Sequence, residues 1–195
     1  MSRRVIVGVD PGGRMTGIVA RRGDEYLGHE LVIRQGRGAI PGPAYLQEVA
    51  ERVGVWSSAW PRAVLAVEGV RLPDRSSRRR ATANGDGGLI ALGKIVAALE
   101  LYFPDAVIVM PDRHGRNLLA AYPAEIVAAD ELARLTGDGS LQHCRSAWDV
   151  AGRAQVLLRL AASRQGRRAT QGRVAATTAP AGATDAPART TPEVR

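Results

Sequence analysis

The chain has 195 residues, a formal net charge of +8 at pH 7 and a single cysteine. This length suits one domain of ordinary size plus an extension, and one cysteine, Cys144, excludes an intrachain disulfide and a cysteine-rich zinc site. No apolar run has membrane-spanning length, and the first residues lead into a strand without the apolar region of a signal peptide. We therefore expect a soluble, cytoplasmic protein with no membrane partner.

The positive charge comes almost entirely from arginine, since Lys94 is the only lysine among 27 cationic residues. Clustered guanidinium groups gain affinity for phosphates by releasing counterions, so the charge favours a nucleic-acid partner. Heavy use of arginine, alanine and glycine also follows from genome base composition. Charge alone leaves both interpretations open.

The segment Val5–Ala20 predicts a hairpin with an acid at the end of its first strand. Val5–Val9 is short, apolar and rich in β-branched residues, as in a strand buried on both faces. Asp10 follows, and the Pro-Gly-Gly turn after it permits a tight return through Thr16–Ala20. Such an acid either opens the turn or holds a metal ion beside a phosphate, and this segment alone leaves both open.

The rest of the chain alternates between strands and helices, which predicts an α/β fold with a mixed sheet. The predicted strands are Tyr26–Ile33, Ala63–Val67 and Ala106–Met110, and the predicted helices are Ala44–Trp60, Leu89–Leu101, a short one near Ala124–Leu135 and a last one over about Leu141–Ser163. A second acid, Glu68, follows the strand Ala63–Val67. An Asn-Gly-Asp-Gly-Gly stretch from Asn84 leads into the second helix.

Residues 164–195 are rich in arginine, alanine, threonine, proline and glycine and have almost no large apolar side chain. Such a segment buries too little surface to offset the entropy cost of ordering it. We therefore predict a folded domain over 1–163 and a disordered basic tail over 164–195 that tethers nonspecifically to DNA.

Three acids fall where separate elements are expected to meet. Asp10 and Glu68 each follow a core strand, and Asp149 lies in the last helix among small residues that permit close approach to the sheet. Hydrolysis of a phosphodiester with divalent metals needs carboxylates from separate elements in one small volume. The sequence therefore predicts a two-metal site at Asp10, Glu68 and Asp149.

Four segments together resemble the RuvC-type Holliday junction resolvases, especially the phage-encoded and related bacterial branch, over roughly Val5–Leu160. They are the Asp10-Pro-Gly turn, Val67-Glu68, the helix entry from Asn84 to Lys94, and the segment HCRSAWDVA from His143 to Ala151.

This resemblance implies an RNase H-like fold, with a five-stranded mixed sheet and helices on both faces. It also implies a homodimeric endonuclease that cuts branched DNA in recombination, repair or phage DNA processing, with two Mg²⁺ or Mn²⁺ ions. Asp10, Glu68 and Asp149 match three metal-binding acids of the family.

The fourth ligand position departs from the family. Relatives place Asp or His three residues before the final acid, where this chain has Ser146, and a hydroxyl is a poor ligand for a hard cation. His143 lies about 120° around an ideal helix from Asp149, so a role as ligand or general base requires a bend or a helix start near it. Asp112 and His114, after the fifth strand, are further candidates as ligands or as a water-positioning pair.

Cations and backbone amides near these acids predict the DNA contacts. A basic loop follows Glu68, and the helix entry at Asn84 offers backbone amides to a phosphate. Arg145, four residues before Asp149, contacts a scissile phosphate or pairs with that acid. The predicted DNA-binding residues are Arg75, Arg78, Arg79, Arg80, Asn84, Lys94 and Arg145.

Two other classes of function stay open. A strand–Asp–Gly hairpin also resembles the first phosphate-binding hairpin of the actin and sugar-kinase ATPases, although those proteins need a second such lobe, which this chain lacks the room for. The other class is a RuvC-like module that binds nucleic acid without cutting it, because Ser146 stands where relatives have an acid or a histidine.

Overall fold

A computed structural model of the chain describes residues 4–36, 38, 40–71, 87–112, 114–131, 139 and 141–177. The chain divides into two compact units, 1–158 and 159–195, and the sheet and the site described below lie within the first. In the described part, no helix combines the length and the apolar character needed to cross a membrane.

Five strands form one mixed sheet in the order β3-β2-β1-β4-β5. They are β1 (Ile6–Asp10), β2 (Met15–Arg22), β3 (Glu25–Ile33), β4 (Val64–Glu68) and β5 (Val107–Val109). The first three strands form an antiparallel meander, whereas β4 lies parallel to β1 and β5 lies parallel to β4. The predicted five-stranded mixed sheet is confirmed, and β1 is its central strand.

Helices cover both faces of this sheet. They are α1 (Pro43–Ser58), α2 (Gly87–Tyr102) and α3 (Gln142–Thr177). Val49 of α1 and Ile95 of α2 share one buried cluster with Val7 and Val9, while Val150 of α3 shares another with Ile6 on the opposite face. The fold is therefore α/β, with helices on both faces of a five-stranded mixed sheet, as predicted.

Small residues let α3 lie unusually close to the sheet. A Cβ added at Gly8 would collide with the carbonyl oxygen of Ala147, and a Cβ added at Gly17 would collide with the backbone of His143. Any larger side chain at either glycine would therefore push the start of α3 off the sheet. The glycines bring that start to the end of β1, where Asp10 lies.

Two boundaries differ from the sequence prediction. In place of a short helix near Ala124–Leu135, the described residues form short 3₁₀ turns at Leu119–Ala121, Ala124–Ile126 and Ala129–Glu131, and residues 132–138 lie outside the described part. These turns bury Tyr122 and Ile126 in the cluster that contains Trp148 of α3.

Helix α3 runs to Thr177, past its predicted end near Ser163. Alanine, arginine and glutamine, which are good helix formers, are common in this extension. The predicted domain boundary at 163 and the predicted tail stay predictions.

Candidate active site

Two of the predicted acids lie side by side at the carboxyl edge of the sheet. Val9 of β1 pairs with Val67 of the parallel strand β4, so Asp10 and Glu68, the next residue on each strand, are neighbours. Their side chains are only 12% and 13% exposed. Two carboxyl groups in one poorly hydrated place cannot both ionise at low cost.

The acids meet that cost with opposite shifts in pKa. Burial and the neighbouring Glu68 raise the pKa of Asp10, His143 partly offsets the rise, and the resulting value is about 6. Burial also opposes ionisation of Glu68, but hydrogen bonds from His114, Asp10 and Ser146 outweigh it and hold the pKa of Glu68 below its usual range. As the pH falls, Asp10 is thus the acid of the pair that takes up a proton first.

His143 binds Asp10 from the first turn of α3. Its Nδ1 lies 2.8 Å from Oδ2 of Asp10, and its side chain is 32% exposed. Because α3 begins at Gln142, the helix start that a role for His143 requires is present. A Cβ added at Gly12 would lie 2.8 Å from Cε1 of His143, so the Pro-Gly-Gly turn makes room for the imidazole.

His114 binds Glu68 in the same way from the segment after β5. Its Nδ1 lies 2.8 Å from Oε1 of Glu68, and this hydrogen bond is the main cause of its raised pKa. The hydroxyl of Ser146 donates to the other oxygen of Glu68 at 3.3 Å. Each acid therefore has its own histidine, and Ser146 contacts Glu68 from the helix.

These groups line a pocket of about 370 Å³. Its lining residues are Asp10, Glu68, Asp112, His114, Arg116, Gln142, His143 and Ser146. Neither Arg116 nor Gln142 was singled out from the sequence. The polar segment after β5, Pro111–Asn117, was the available signal for Arg116, which brings a guanidinium group to the pocket.

Asp149 does not share this pocket. Its Oδ2 accepts hydrogen bonds from the amide of Gly115 and the hydroxyl of Tyr122, both at 2.8 Å, and from Nδ2 of Asn117 at 3.1 Å. Residues six apart on an α-helix point about 120° apart, so Asp149 faces the segment after β5 while His143 faces Asp10. The structure brings together Asp10, Glu68 and His143, with His114 in addition, and leaves Asp149 beside them.

Arg145, a predicted DNA contact, is buried instead. Its guanidinium group donates to both oxygens of Glu131 at 2.8 and 3.0 Å and to the carbonyl of Ile126 at 3.2 Å, and the side chains of Arg145 and Glu131 are both 0% exposed. A side chain enclosed in this way has no access to a phosphate. Arg145 therefore joins α3 to the 3₁₀ segment.

Of the other predicted DNA contacts, the structure describes Lys94. Lys94 is exposed on α2 and is not one of the described residues that line the pocket. Arg75, Arg78, Arg79, Arg80 and Asn84 lie outside the described residues.

The donor atoms of the pocket suit a divalent cation. Carboxylate oxygens are the ligands that Mg²⁺ and Mn²⁺ prefer, and imidazole is accepted by the transition metals. Within the described ranges, no three His, Cys, Asp or Glu side chains stand in a geometry that would hold an ion. Each of the two imidazoles instead bonds a carboxyl group, and burial favours the protonated form of Asp10. The residues fit a cation that would compete with a proton for Asp10.

Comparisons with solved structures found likenesses of low identity. RuvC of Thermus thermophilus in complex with a Holliday junction substrate has a TM-score of 0.43 and 16% identity, over 76% of this chain and 90% of that chain. A second structure of RuvC from Thermus thermophilus has a TM-score of 0.45 and 16% identity, over 83% of this chain and 96% of that chain. A ROK hexokinase from Thermus thermophilus has a TM-score of 0.37 and 18% identity, over 57% of this chain and 36% of that chain.

No protein-family model matches the chain, and no curated protein matches it.

Proposed function

We propose that the protein is a divalent-metal-dependent endonuclease that cuts branched DNA, of the Holliday junction resolvase type. The observation that carries the proposal is the pair of buried acids, Asp10 and Glu68, that meet at adjacent strand ends with His143 bonded to Asp10. Buried carboxyl groups with opposed pKa shifts in a polar pocket are typical of catalytic centres.

Asp10, Glu68 and His143 are the residues that would hold the cation. When bound, a divalent cation neutralises charge on a phosphate and lowers the pKa of water. Asp10 first has to release its proton, which its pKa of about 6 makes favourable at neutral pH. The Nδ1 bond to Asp10 orients the His143 ring and leaves Nε2 as the nitrogen able to bind the cation.

The DNA backbone would reach the pocket from its cationic side. Arg116 lines the pocket together with the two acids, and a guanidinium group suits a phosphate oxygen. The net charge of +8 favours a polyanion over a small neutral substrate. Contacts from the arginine loop after Glu68, a homodimer and a DNA-tethering tail remain part of this proposal.

The direct test is cleavage of a synthetic four-way junction with Mg²⁺ or Mn²⁺, comparing wild type with Asp10→Asn. Wild type should cut the junction, and the variant should be at least a hundredfold slower because a neutral amide is a poor cation ligand. Asp105→Asn, at an exposed site away from the pocket, is the matched control. Equal cleavage by wild type and Asp10→Asn would refute the mechanism.

A DNA-binding module without nuclease activity is the second candidate, and Ser146 favours it. The hydroxyl bonds Glu68 at a position where relatives supply an acid or a histidine. Tight junction binding without cleavage by wild type, in either metal, would support this module. ATP hydrolysis that is independent of DNA would instead point to the kinase-like class.

A further inference from the structure

The segment after β5 is tied to the pocket at two points. At one point, Nδ1 of His114 lies 2.8 Å from Oε1 of Glu68. At the other, three donors converge on a single oxygen of Asp149: the amide of Gly115, the hydroxyl of Tyr122 and the side-chain amide of Asn117. The residue that touches the acid pair is therefore adjacent in sequence to a residue held by Asp149.

The backbone at Gly115 leaves little room for a side chain between this segment and α3. Gly115 has φ +71°, a conformation that residues with side chains rarely adopt. An added Cβ would lie 3.0 Å from the amide nitrogen of Ser146 and 3.2 Å from its Cβ. The segment thus packs directly against the first turns of α3. Tyr122, farther along the segment, is buried, with only 7% of it exposed.

We propose that His114 is a cation-binding residue of this centre and that Asp149 is the residue that positions it. This inference rests on the proposed function, because it assigns two further residues to the same site. His114 contacts Glu68, the same acid that Ser146 contacts, and so supplies a nitrogen donor where the serine offers only a hydroxyl.

Asp149 acts through its neighbours rather than through the ion. Its Oδ2 already accepts three hydrogen bonds, all from the segment that carries His114. Partners that orient ligands in this way typically change metal affinity by about 10- to 100-fold when they are removed. Loss of Asp149 should therefore loosen His114 and leave Asp10 and His143 in place.

The donor set has a consequence for the choice of metal. Two carboxylates with two imidazoles favour a transition ion over Mg²⁺, since imidazole is a softer donor than a carboxylate or water oxygen. Mn²⁺ should therefore bind more tightly than Mg²⁺. The difference in affinity between the two ions should be smaller in His114→Ala than in wild type.

Paramagnetic NMR can test both assignments without any cleavage assay. The chain has only three histidines, so histidine-selective labelling gives three imidazole signals. Mn²⁺ should broaden the signals of His114 and His143 at lower concentrations than it broadens His29, which lies in β3 beside Tyr26. Signals are assigned by His114→Ala and His143→Ala, and Mn²⁺ affinity is measured by the loss of its free electron-spin resonance signal.

Variants of Asp149 and of its hydrogen-bond partner Tyr122 give the second readout. Asp149→Ala should lower Mn²⁺ affinity about tenfold and remove the broadening of His114 while that of His143 persists. Asp149→Asn keeps an acceptor and should restore much of both. Tyr122→Phe removes one of the three donors with little change in shape, and should weaken Mn²⁺ binding less than Asp149→Ala. Asp105→Ala is the control.

Several results would overturn the inference. A sharp His114 signal at Mn²⁺ levels that broaden His143, or unchanged Mn²⁺ affinity in His114→Ala, removes His114 from the site. Unchanged broadening of His114 in Asp149→Ala and in Tyr122→Phe removes the positioning role. If wild type binds Mn²⁺ through both histidines but cuts no DNA, the proposed function fails and the inference about the donors stands.

Discussion

Asp10→Asn should make the metal-free protein more stable at neutral pH, although it removes cleavage. A carboxyl group whose pKa is higher in the folded protein than in the unfolded chain binds its proton more tightly when folded. The free energy of unfolding therefore falls as the pH rises through the interval between the two values. Asp10 is such a group, because burial beside Glu68 favours its neutral form.

The size of the effect follows from the two pKa values. The ordinary value for an aspartate is 3.8 and the value for Asp10 is about 6. A difference of roughly two units corresponds to about 3 kcal/mol at 1.36 kcal/mol per unit. Asparagine has the shape of a protonated aspartate: its amide can donate to Glu68, and its oxygen can accept from His143. The substitution should recover most of that energy at pH 8.

Urea unfolding in EDTA at several pH values between 4 and 8 measures the difference between variant and wild type. The gain should be near zero at pH 4, where Asp10 is protonated in the folded protein, and should reach about 3 kcal/mol above pH 7. Asp105→Asn should show no such trend. Mn²⁺ at about 1,000 times its Kd should reverse the order, because a ligand of the folded state alone then adds about 4.1 kcal/mol.

A difference that stays flat from pH 4 to pH 8 would refute the assignment of the proton to Asp10. A variant that is less stable than wild type at pH 8 would refute it more strongly, because the acid pair would then carry no electrostatic cost for the amide to relieve.

Two further predictions concern the frame of the site. Arg145→Met should lower the free energy of unfolding by about 3–5 kcal/mol, because it leaves Glu131 charged and buried without its partner. Hydrogen bonds from Arg145 lower the pKa of Glu131 to about 2. The pair should therefore stabilise the folded protein above about pH 4.5, and this stabilisation should be lost as the pH falls towards 2. An unfolding curve of Arg145→Met equal to that of wild type at pH 7 would contradict the prediction. Gly12→Ala should slow cleavage about a hundredfold by displacing the His143 ring and the turn at Met15, as small misplacements at catalytic centres do. Gly93→Ala in α2, where an added Cβ meets nothing within 4 Å, is its control.

The sheet and its acid pair could be predicted from the sequence because their signals are local. Short β-branched runs mark β1 and β4, and in parallel strands the residues that follow them, Asp10 and Glu68, must lie at one edge. The His143 contact needed only one added fact, the position where α3 begins. These features depend on residues close together in the chain or on simple strand geometry.

The surroundings of the helical acid could not be predicted in the same way. The hydrogen bonds to Asp149 depend on how the segment after β5 folds back on α3. The residues that donate them lie 27 to 34 residues away from Asp149 in the chain. Arg145 is likewise matched by Glu131, whose burial is set by the 3₁₀ turns rather than by α3. No periodicity in α3 distinguishes a side chain aimed at the pocket from one aimed at a neighbouring segment.

The position of α3 couples the two histidines, and this coupling gives a last prediction. His143 reaches Asp10 from the first turn of α3, and Asp149, two turns on, holds the segment of His114. A Cβ at Gly17 would collide with the backbone of His143, so Gly17→Ala should shift the start of α3 and move both imidazoles. A Cβ at Gly12 would instead meet the carbonyl oxygen of Met15 and the His143 ring, and neither of these is the backbone of α3. With Mn²⁺, Gly17→Ala should lose the broadening of both histidine signals and Gly12→Ala that of His143 alone, with circular dichroism confirming that both variants are folded. Loss of the His143 broadening alone in Gly17→Ala would show that the histidines are not coupled through the helix.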